Sequence, residues 1–323
     1  MTKPRFFTGI QATGTLTLGH YLGVISHILL LQEEYEVIIM IADLHALTVP
    51  RKEINYQQKA KEIAALLYAC GLKEDCKVFI QSQIKEHCEL TWLLSPLVTV
   101  SELNSMIQYK EKKKDAETGS LALLSYPVLM AADIFLYDAD LVIVGQDQRQ
   151  HCELTTDIAR KFNNFHQTNL LKLPQFAIPQ LGSKIMGLQN PKKKMSKSEN
   201  DHLALLDDPE VVKKKIQRAE TDSENKVYYD PVNKPGISNL LLIYSLLKKI
   251  TLQEAEKETN NLNYYQLKSK LTELICTKFQ NIQEKFPACQ DKITTLLEKN
   301  HHYCQKLAQQ KLEEIKNKIK LSN

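Results

Sequence analysis

Two stretches of the chain combine residue types suited to handling phosphate. In the first, Gly9-Ile10-Gln11-Ala12-Thr13-Gly14-Thr15-Leu16-Thr17-Leu18-Gly19-His20, a short apolar run enters a glycine-bearing turn and then a helix starting near Gly19. Such a turn offers backbone N–H groups and the positive end of a helix to an anion. Thr17 and His20 add side-chain donors, and Gly19 lets a base or ribose approach the backbone closely. In the second stretch, Lys192-Lys193-Lys194-Met195-Ser196-Lys197-Ser198, ammonium groups can reach over a triphosphate and offset the charge that develops as pyrophosphate leaves. Ser196 and Ser198 are further donors. Each stretch on its own also fits plain structure, a turn or a solvated basic loop.

The elements that must position these groups alternate along the first half. Arg5–Ile10, Val37–Ala42, Val78–Ile80 and Leu141–Val144 are apolar runs of the kind buried on both faces of a parallel sheet. Between them lie segments with helical spacing, such as Glu53–Cys70 with Ile63, Leu66 and Leu67 on one face. Strand alternating with helix implies an open α/β sheet with right-handed crossovers. Polar residues follow each run: Gln11 and Thr13, Asp43 and His45, Gln81 and Ser82, Gly145 to Gln148. Ligands in such sheets bind beyond the carboxyl ends of the strands, which is where these residues fall.

The second half changes character. Asp208-Pro209-Glu210 opens a helix running through Arg218, Pro235-Gly236-Ile237-Ser238 precedes a leucine-rich helix over Asn239–Leu247, and a helical stripe runs from Asp291 to Lys320. The fold class is therefore α/β, a Rossmann-like parallel-sheet domain over residues 1–199 ending in the lysine loop, followed by a helical domain over residues 200–323. Lys110–Ser120 is a charged segment that reads as a basic loop.

Composition narrows the class. The 323 residues are 43% hydrophobic and 25% charged, as in an ordinary water-soluble protein, and no apolar run approaches the roughly 20 residues of a membrane span. Seven cysteines, odd in number and without a C-x-x-C pair, read as reduced thiols of a cytoplasmic protein, with no structural metal expected. The net charge of +4 is unevenly spread. Residues 192–323 hold 24 Lys and Arg against 18 Asp and Glu, a basic surplus that suits a polyanionic partner.

An early strand–turn–helix ending in Gly-His, paired with a later Lys-Met-Ser-Lys-Ser, marks the class I aminoacyl-tRNA synthetases. Within that class the chain resembles the tryptophanyl-tRNA synthetases in Gly9-Ile10-Gln11, Ile41-Ala42-Asp43-Leu44-His45-Ala46, and Tyr126-Pro127-Val128-Leu129-Met130-Ala131-Ala132-Asp133-Ile134. The likeness continues in Val144-Gly145-Gln146-Asp147-Gln148, Glu153–Arg160, Thr221-Asp222-Ser223-Glu224 and Lys234-Pro235-Gly236-Ile237-Ser238-Asn239, in family order over almost the whole chain.

The resemblance implies ATP-dependent activation of L-tryptophan and its transfer to tRNA(Trp), with ATP entering as Mg-ATP. It assigns His20, Lys194 and Lys197 to catalysis. ATP would be held by Gln11, Ala12, Thr13, Thr17, Gly19, His20, Gly145, Gln146, Asp147, Ile185, Met186, Lys194, Met195, Ser196, Lys197 and Ser198, with Ile185 and Met186 flanking the adenine. Asp133 would accept the indole N–H, Tyr126 and Gln148 would hold the α-ammonium, His45 would bind nearby, and Phe7, Met130, Val142 and Val144 would form pocket walls. Lys110 and Lys112 match basic residues associated with pyrophosphate. A homodimer bridged by tRNA, an anticodon-reading helical domain and no membrane association complete the expectation. Two departures stand out: Thr17 replaces the first histidine of the class signature, and Gln146 stands where glutamate is common. A tyrosyl-tRNA synthetase and a non-aminoacylating nucleotide-binding paralogue are the rival readings.

Overall fold

The computed structural model describes residues 3–49, 52–110, 119–178, 185–193, 195 and 201–321. Five parallel strands, β1 (Arg5–Gln11), β2 (Glu36–Ala42), β3 (Lys77–Ile80), β4 (Leu141–Ile143) and β5 (Gln175–Ala177), form one sheet in the order β3-β2-β1-β4-β5. Phe7 of β1 lies opposite Ile38 of β2 on one side and Val142 of β4 on the other. Chain order reverses between β1 and β4, and in open sheets a cleft forms at that switch point.

Alternation along the strands sends successive side chains into two separate cores. Phe6, Ile39, Ile41, Val78 and Ile80 face one layer; Phe7, Ile38, Met40, Phe79 and Val142 face the other. This is why the runs are apolar throughout rather than every second residue. The first core is covered by a helix that begins as α1 (Leu18–His20), passes through a π turn (Tyr21–Ile25) and continues as α2 (Ser26–Leu31), together with α4 (Tyr56–Ala69). Between β2 and α4 lies the short α3 (Asp43–Ala46). The second core is covered by α5 (Glu86–Leu94), α6 (Val100–Ser105), α7 (Leu121–Phe135) and α8 (Arg149–His166).

Four helices follow residue 200: α9 (Pro209–Gln217), α10 (Pro235–Lys248), α11 (Leu252–Thr259) and α12 (Tyr264–Lys318). The stripe read over 291–320 is the second half of α12, a single 55-residue helix with Pro287 inside it. A proline removes one helical hydrogen bond and normally reads as a break, so the sequence splits what packing keeps whole. Ile275, Phe279 and Ile282 of α12 join the first core, and Cys304, Ala308, Leu312 and Ile315 join the second. The helix therefore crosses from one sheet layer to the other.

Candidate active site

A cavity of about 450 Å³ opens at the carboxyl ends of β1 and β4, a volume suited to a small-molecule ligand. Its inner end is apolar, walled by Phe7, Met40, Met130, Ile134, Val142 and Val144. One charged group projects into that end. Asp133, on α7, is only 1% exposed. Its Oδ2 accepts from His45 Nε2 at 2.7 Å, and its Oδ1 accepts from His87 Nδ1 at 2.6 Å and Gln81 Nε2 at 2.8 Å. Burial pushes the Asp133 carboxyl upward, but hydrogen bonds and charge from His45 and His87 outweigh it and hold the group at about 2. The group is therefore an anionic acceptor at neutral pH.

The partners of Asp133 are positioned by strand ends. At the end of β2, Asp43 accepts the Ser82 N–H at 2.9 Å through Oδ1 and the Ser82 hydroxyl through Oδ2, tying that strand to the end of β3. His45 and Gln81 sit beside these two residues and so arrive in register. His87, fully buried at the start of α5, has its Nε2 2.9 Å from the Tyr137 hydroxyl, which burial pushes well above its ordinary pKa. A carboxylate has roughly four lone-pair directions; Asp133 uses two on Oδ1 and one on Oδ2. Among the described residues nothing takes the remaining direction on Oδ2, which a ligand donor can use.

Behind the cavity wall, one imidazole joins two of its lining residues, Tyr126 and Gln148. His151 Nε2 lies 3.1 Å from the Tyr126 hydroxyl, and His151 Nδ1 lies 2.7 Å from Gln148 Oε1. The Tyr126 hydroxyl also reaches Gln108 Oε1 at 3.0 Å. Asp147 accepts from Gln108 Nε2 at 2.6 Å and from Gln148 Nε2 at 2.7 Å. A Cβ at position 145 would lie 2.5 Å from Asp147 Oδ1, so Gly145 is required for this carboxylate to fold back over the turn.

At the outer end, the glycine turn and the lysine stretch meet. Leu18 N–H donates to Leu203 O at 2.8 Å and Leu205 N–H to Leu16 O at 3.0 Å, pairing the start of α1 with the segment that follows the lysines. Met195 Sδ would lie 3.8 Å from a Cβ on Gly19. The segment leading to the lysines is a small hairpin, with Met195 N–H to Ile185 O at 3.0 Å and Gly187 N–H to Lys193 O at 2.9 Å. Thr17 and His20 form a capping box. Thr17 N–H donates to His20 Nδ1 at 3.2 Å, and a peptide N–H can only donate, so the neutral ring carries its proton on Nε2.

The structure brings together Phe7, Gln11, Thr13, His20, His45, Tyr126, Met130, Asp133, Val142, Val144, Gly145, Asp147 and Gln148 around this cavity. Others are placed differently. Thr17 is buried as the helix cap, its hydroxyl 2.7 Å from His20 Nδ1, so it orients His20 rather than lining the cavity. Ala12 is buried and Gln146 is exposed, neither lining the cavity, and Gly19, at the helix start, and Ile185, Met186 and Met195, in the hairpin, lie outside its wall as well. Lys110 is exposed. Lys112, Lys194, Ser196, Lys197 and Ser198 lie outside the described residues. The sequence marked Gln81 only as a polar residue after a strand, and gave no signal for His87, Tyr137, Gln108 or His151, whose spacing follows no motif.

Comparison with known proteins decides the family. A model of the class I tRNA synthetases for tryptophan and tyrosine matches residues 1–280. A tryptophan–tRNA ligase from Oceanobacillus iheyensis is 44% identical over 284 residues, covering 87% of this chain and 86% of that protein. Another, from Caldanaerobacter subterraneus subsp. tengcongensis, is 40% identical over 98% of both chains. The chain belongs to the tryptophanyl-tRNA synthetase family. Its activity is accordingly that of a tryptophan–tRNA ligase. The crystal structure of the Mycoplasma pneumoniae tryptophanyl-tRNA synthetase is similar at a TM-score of 0.90 and 35% identity, covering 99% of this chain and 98% of that one. The Campylobacter jejuni enzyme, complexed with ADP and tryptophan, matches at a TM-score of 0.83 and 30% identity, covering 98% of this chain and 100% of that one. A tyrosyl-tRNA synthetase from Archaeoglobus fulgidus at 18% identity shares the fold alone. Among the described residues no cluster of His, Cys, Asp and Glu could hold a metal ion, and no helix is long and apolar enough to cross a membrane.

Proposed function

We propose that tryptophan lies in this cavity with its indole N–H on Asp133 Oδ2, and that Mg-ATP runs from the glycine turn to the lysine hairpin. The observation that carries the reading is a buried, anionic carboxylate with one lone-pair direction left among the described residues, in a largely apolar part of a cavity that the glycine turn also lines, with the stem of the lysine hairpin packed beside the helix start that follows that turn. The indole N–H is a donor only, and Asp133 is an acceptor only. Phenylalanine would leave the acceptor unpaired and is rejected by far more than shape alone allows.

In this reading the α-ammonium sits between the Tyr126 hydroxyl and Gln148 Oε1, which share His151. The adenosine ribose meets Gly145 and Asp147, and Ile185 and Met186 flank the adenine. Gln11 and Thr13 line the path of the triphosphate, and His20 donates through Nε2. The tryptophan carboxylate attacks the α-phosphorus, the bond to the β-phosphate oxygen breaks, and pyrophosphate leaves with the electron pair. Lys194 and Lys197 neutralise that leaving group, with Ser196 and Ser198 as donors and Lys110 and Lys112 in support. A terminal ribose hydroxyl of tRNA(Trp) then attacks the carbonyl and AMP departs. No side chain needs to act as a nucleophile; positioning supplies the rate.

Residues 200–323 are proposed to read the anticodon, their basic surplus contacting phosphates. A homodimer is supported by the exposed apolar side chains Trp92, Val100, Ile107 and Leu121 on or beside α5, α6 and α7, which pack together; the cytoplasm as its compartment rests on the family resemblance. Pyrophosphate exchange into ATP, run with tryptophan and with tyrosine, tests the reading. Exchange with tryptophan alone is expected, and Lys197→Ala should cut its rate far more than it weakens tryptophan binding. Equal losses in both would remove Lys197 from the chemistry.

A further inference from the structure

Asn239 sits in the first turns of α10, in a block that the sequence marks and the chemistry above leaves unused. It is 4% exposed. Its Nδ2 donates to Met186 O at 2.9 Å, and its Oδ1 accepts from Met186 N–H at 2.9 Å. One carboxamide thus completes both main-chain groups of Met186, as a neighbouring strand would. Ile185 and Gly187, which flank Met186, are held on the other edge by Met195 and Lys193. The hairpin behind the lysines is therefore gripped on two sides, by its own return strand and by a helix from the second half of the chain.

Nearby contacts brace the same stem. Glu220 N–H donates to Leu188 O at 2.7 Å. Asp201 accepts the N–H groups of Gln189 at 2.7 Å and Asn190 at 3.2 Å. A Cβ on Gly236 would lie 2.0 Å from Glu220 O, so α10 begins jammed against the segment that bonds Leu188. Among the described residues, Asn239 alone hydrogen-bonds both the N–H and the C=O of Met186.

We infer that Asn239 is a positioning residue for amino-acid activation: it fixes the height of Met186 and, through Met195, the hairpin against Gly19. It touches no substrate. Its effect falls on the nucleotide side of the reaction, because tryptophan's proposed polar partners hang from α3, α7 and the turn that precedes α8. This inference rests on the proposed path of ATP along the hairpin.

The test measures pyrophosphate exchange together with tryptophan binding by equilibrium dialysis in Asn239→Ala, Asn239→Asp and Ser238→Ala. Ser238 is the control, a buried neighbour on the same helix whose hydroxyl accepts Asp230 N–H at 2.8 Å and, among the described residues, makes no hydrogen bond to the hairpin. Losing two neutral hydrogen bonds should raise the ATP KM of Asn239→Ala about tenfold or lower kcat equally. Its tryptophan Kd should stay within about twofold of wild type, and Ser238→Ala should keep wild-type kinetics. Asn239→Asp keeps the acceptor but sets a carboxylate against Met186 O. Protonation restores the lost donor, so its ATP KM relative to wild type should fall as pH is lowered from 8.5 to 6. An Asn239→Ala enzyme with unchanged ATP kinetics overturns the inference. So does an equal rise in ATP and tryptophan constants shared by Ser238→Ala, which would mark general loosening. Wild-type exchange run alongside separates the two levels: its absence sinks the reading of the cavity, whereas its presence beside an unaffected Asn239→Ala sinks the clamp alone.

Discussion

At the inner end of the cavity, Asp133 meets side chains from three separate elements, His45 after β2, Gln81 after β3 and His87 on α5. At the outer end, the described contacts run largely through main chain: Leu18 with Leu203, Leu205 with Leu16, Met195 with Ile185, Gly187 with Lys193. The contrast follows from what each end must recognise. An indole differs from other apolar ring systems in its size and in one N–H donor, and since shape alone discriminates weakly, selection needs one charged acceptor held without slack in an apolar wall. A triphosphate offers charge and many acceptors, so a backbone frame can hold it while lysine side chains supply the rest. Substitutions should therefore be severe and specific at the first end, and mild at the second except where a side chain fastens the frame.

The largest effect is expected for Asp133→Ala. Removing one partner of a buried ionic cluster costs about 3–5 kcal/mol. Chemical denaturation should show a loss of that order, and kcat/KM for tryptophan should fall by about a thousandfold. Near-normal exchange would break the contrast at its stronger side.

His87→Ala comes next. It removes one of two donors to Asp133 Oδ1, and kcat/KM for tryptophan should fall about 10–100-fold with the ATP KM unchanged. The pH dependence carries a definite sign. The Asp133 pKa is depressed from the ordinary 3.8 to about 2, so its stabilising contribution is complete above 3.8 and disappears as pH falls toward 2. Without His87 the opposing effect of burial is less offset, the folded value rises, and tryptophan binding should weaken at a higher pH than in wild type. Superimposable binding-versus-pH curves would contradict the role of His87.

A third test sharpens the outer end. Charging of tRNA should fall about tenfold or more between 50 and 200 mM salt, while tryptophan-dependent exchange changes little, because only the tRNA step releases many counterions. Parallel slopes would deny the basic second half a role in tRNA binding. The smallest effect is expected for Lys110→Ala, an exposed side chain whose loss should change exchange by less than about threefold.

Much of this arrangement was legible in the residues. Four apolar runs located four strands, because strands buried on both faces have no polar alternation to hide them. The fifth, Gln175–Ala177, is three half-exposed or exposed residues at the sheet edge and leaves no such trace. Pro287 obscured the continuity of α12, which tertiary packing enforces on both sides of it. In the site, Asp133 was marked by its apolar neighbours, yet His87 and His151 were not. His87 bonds residues 46 and 50 positions away and His151 reaches Tyr126, 25 positions away, and such pairings have no local signature. Thr17 shows the opposite case, where a donor read as facing phosphate is used to cap its own helix.

The most direct measurement compares tryptophan with its benzothiophene isostere, in which sulfur replaces the ring N–H, in wild type and in Asp133→Ala. An unpaired buried acceptor costs about 1–3 kcal/mol, so wild type should prefer tryptophan by about 10–100-fold in kcat/KM. The preference should shrink to near unity in the variant, however low its absolute activity. A wild-type enzyme indifferent to the two, or a variant that keeps the preference, would contradict the assignment of Asp133 as the reader of the indole.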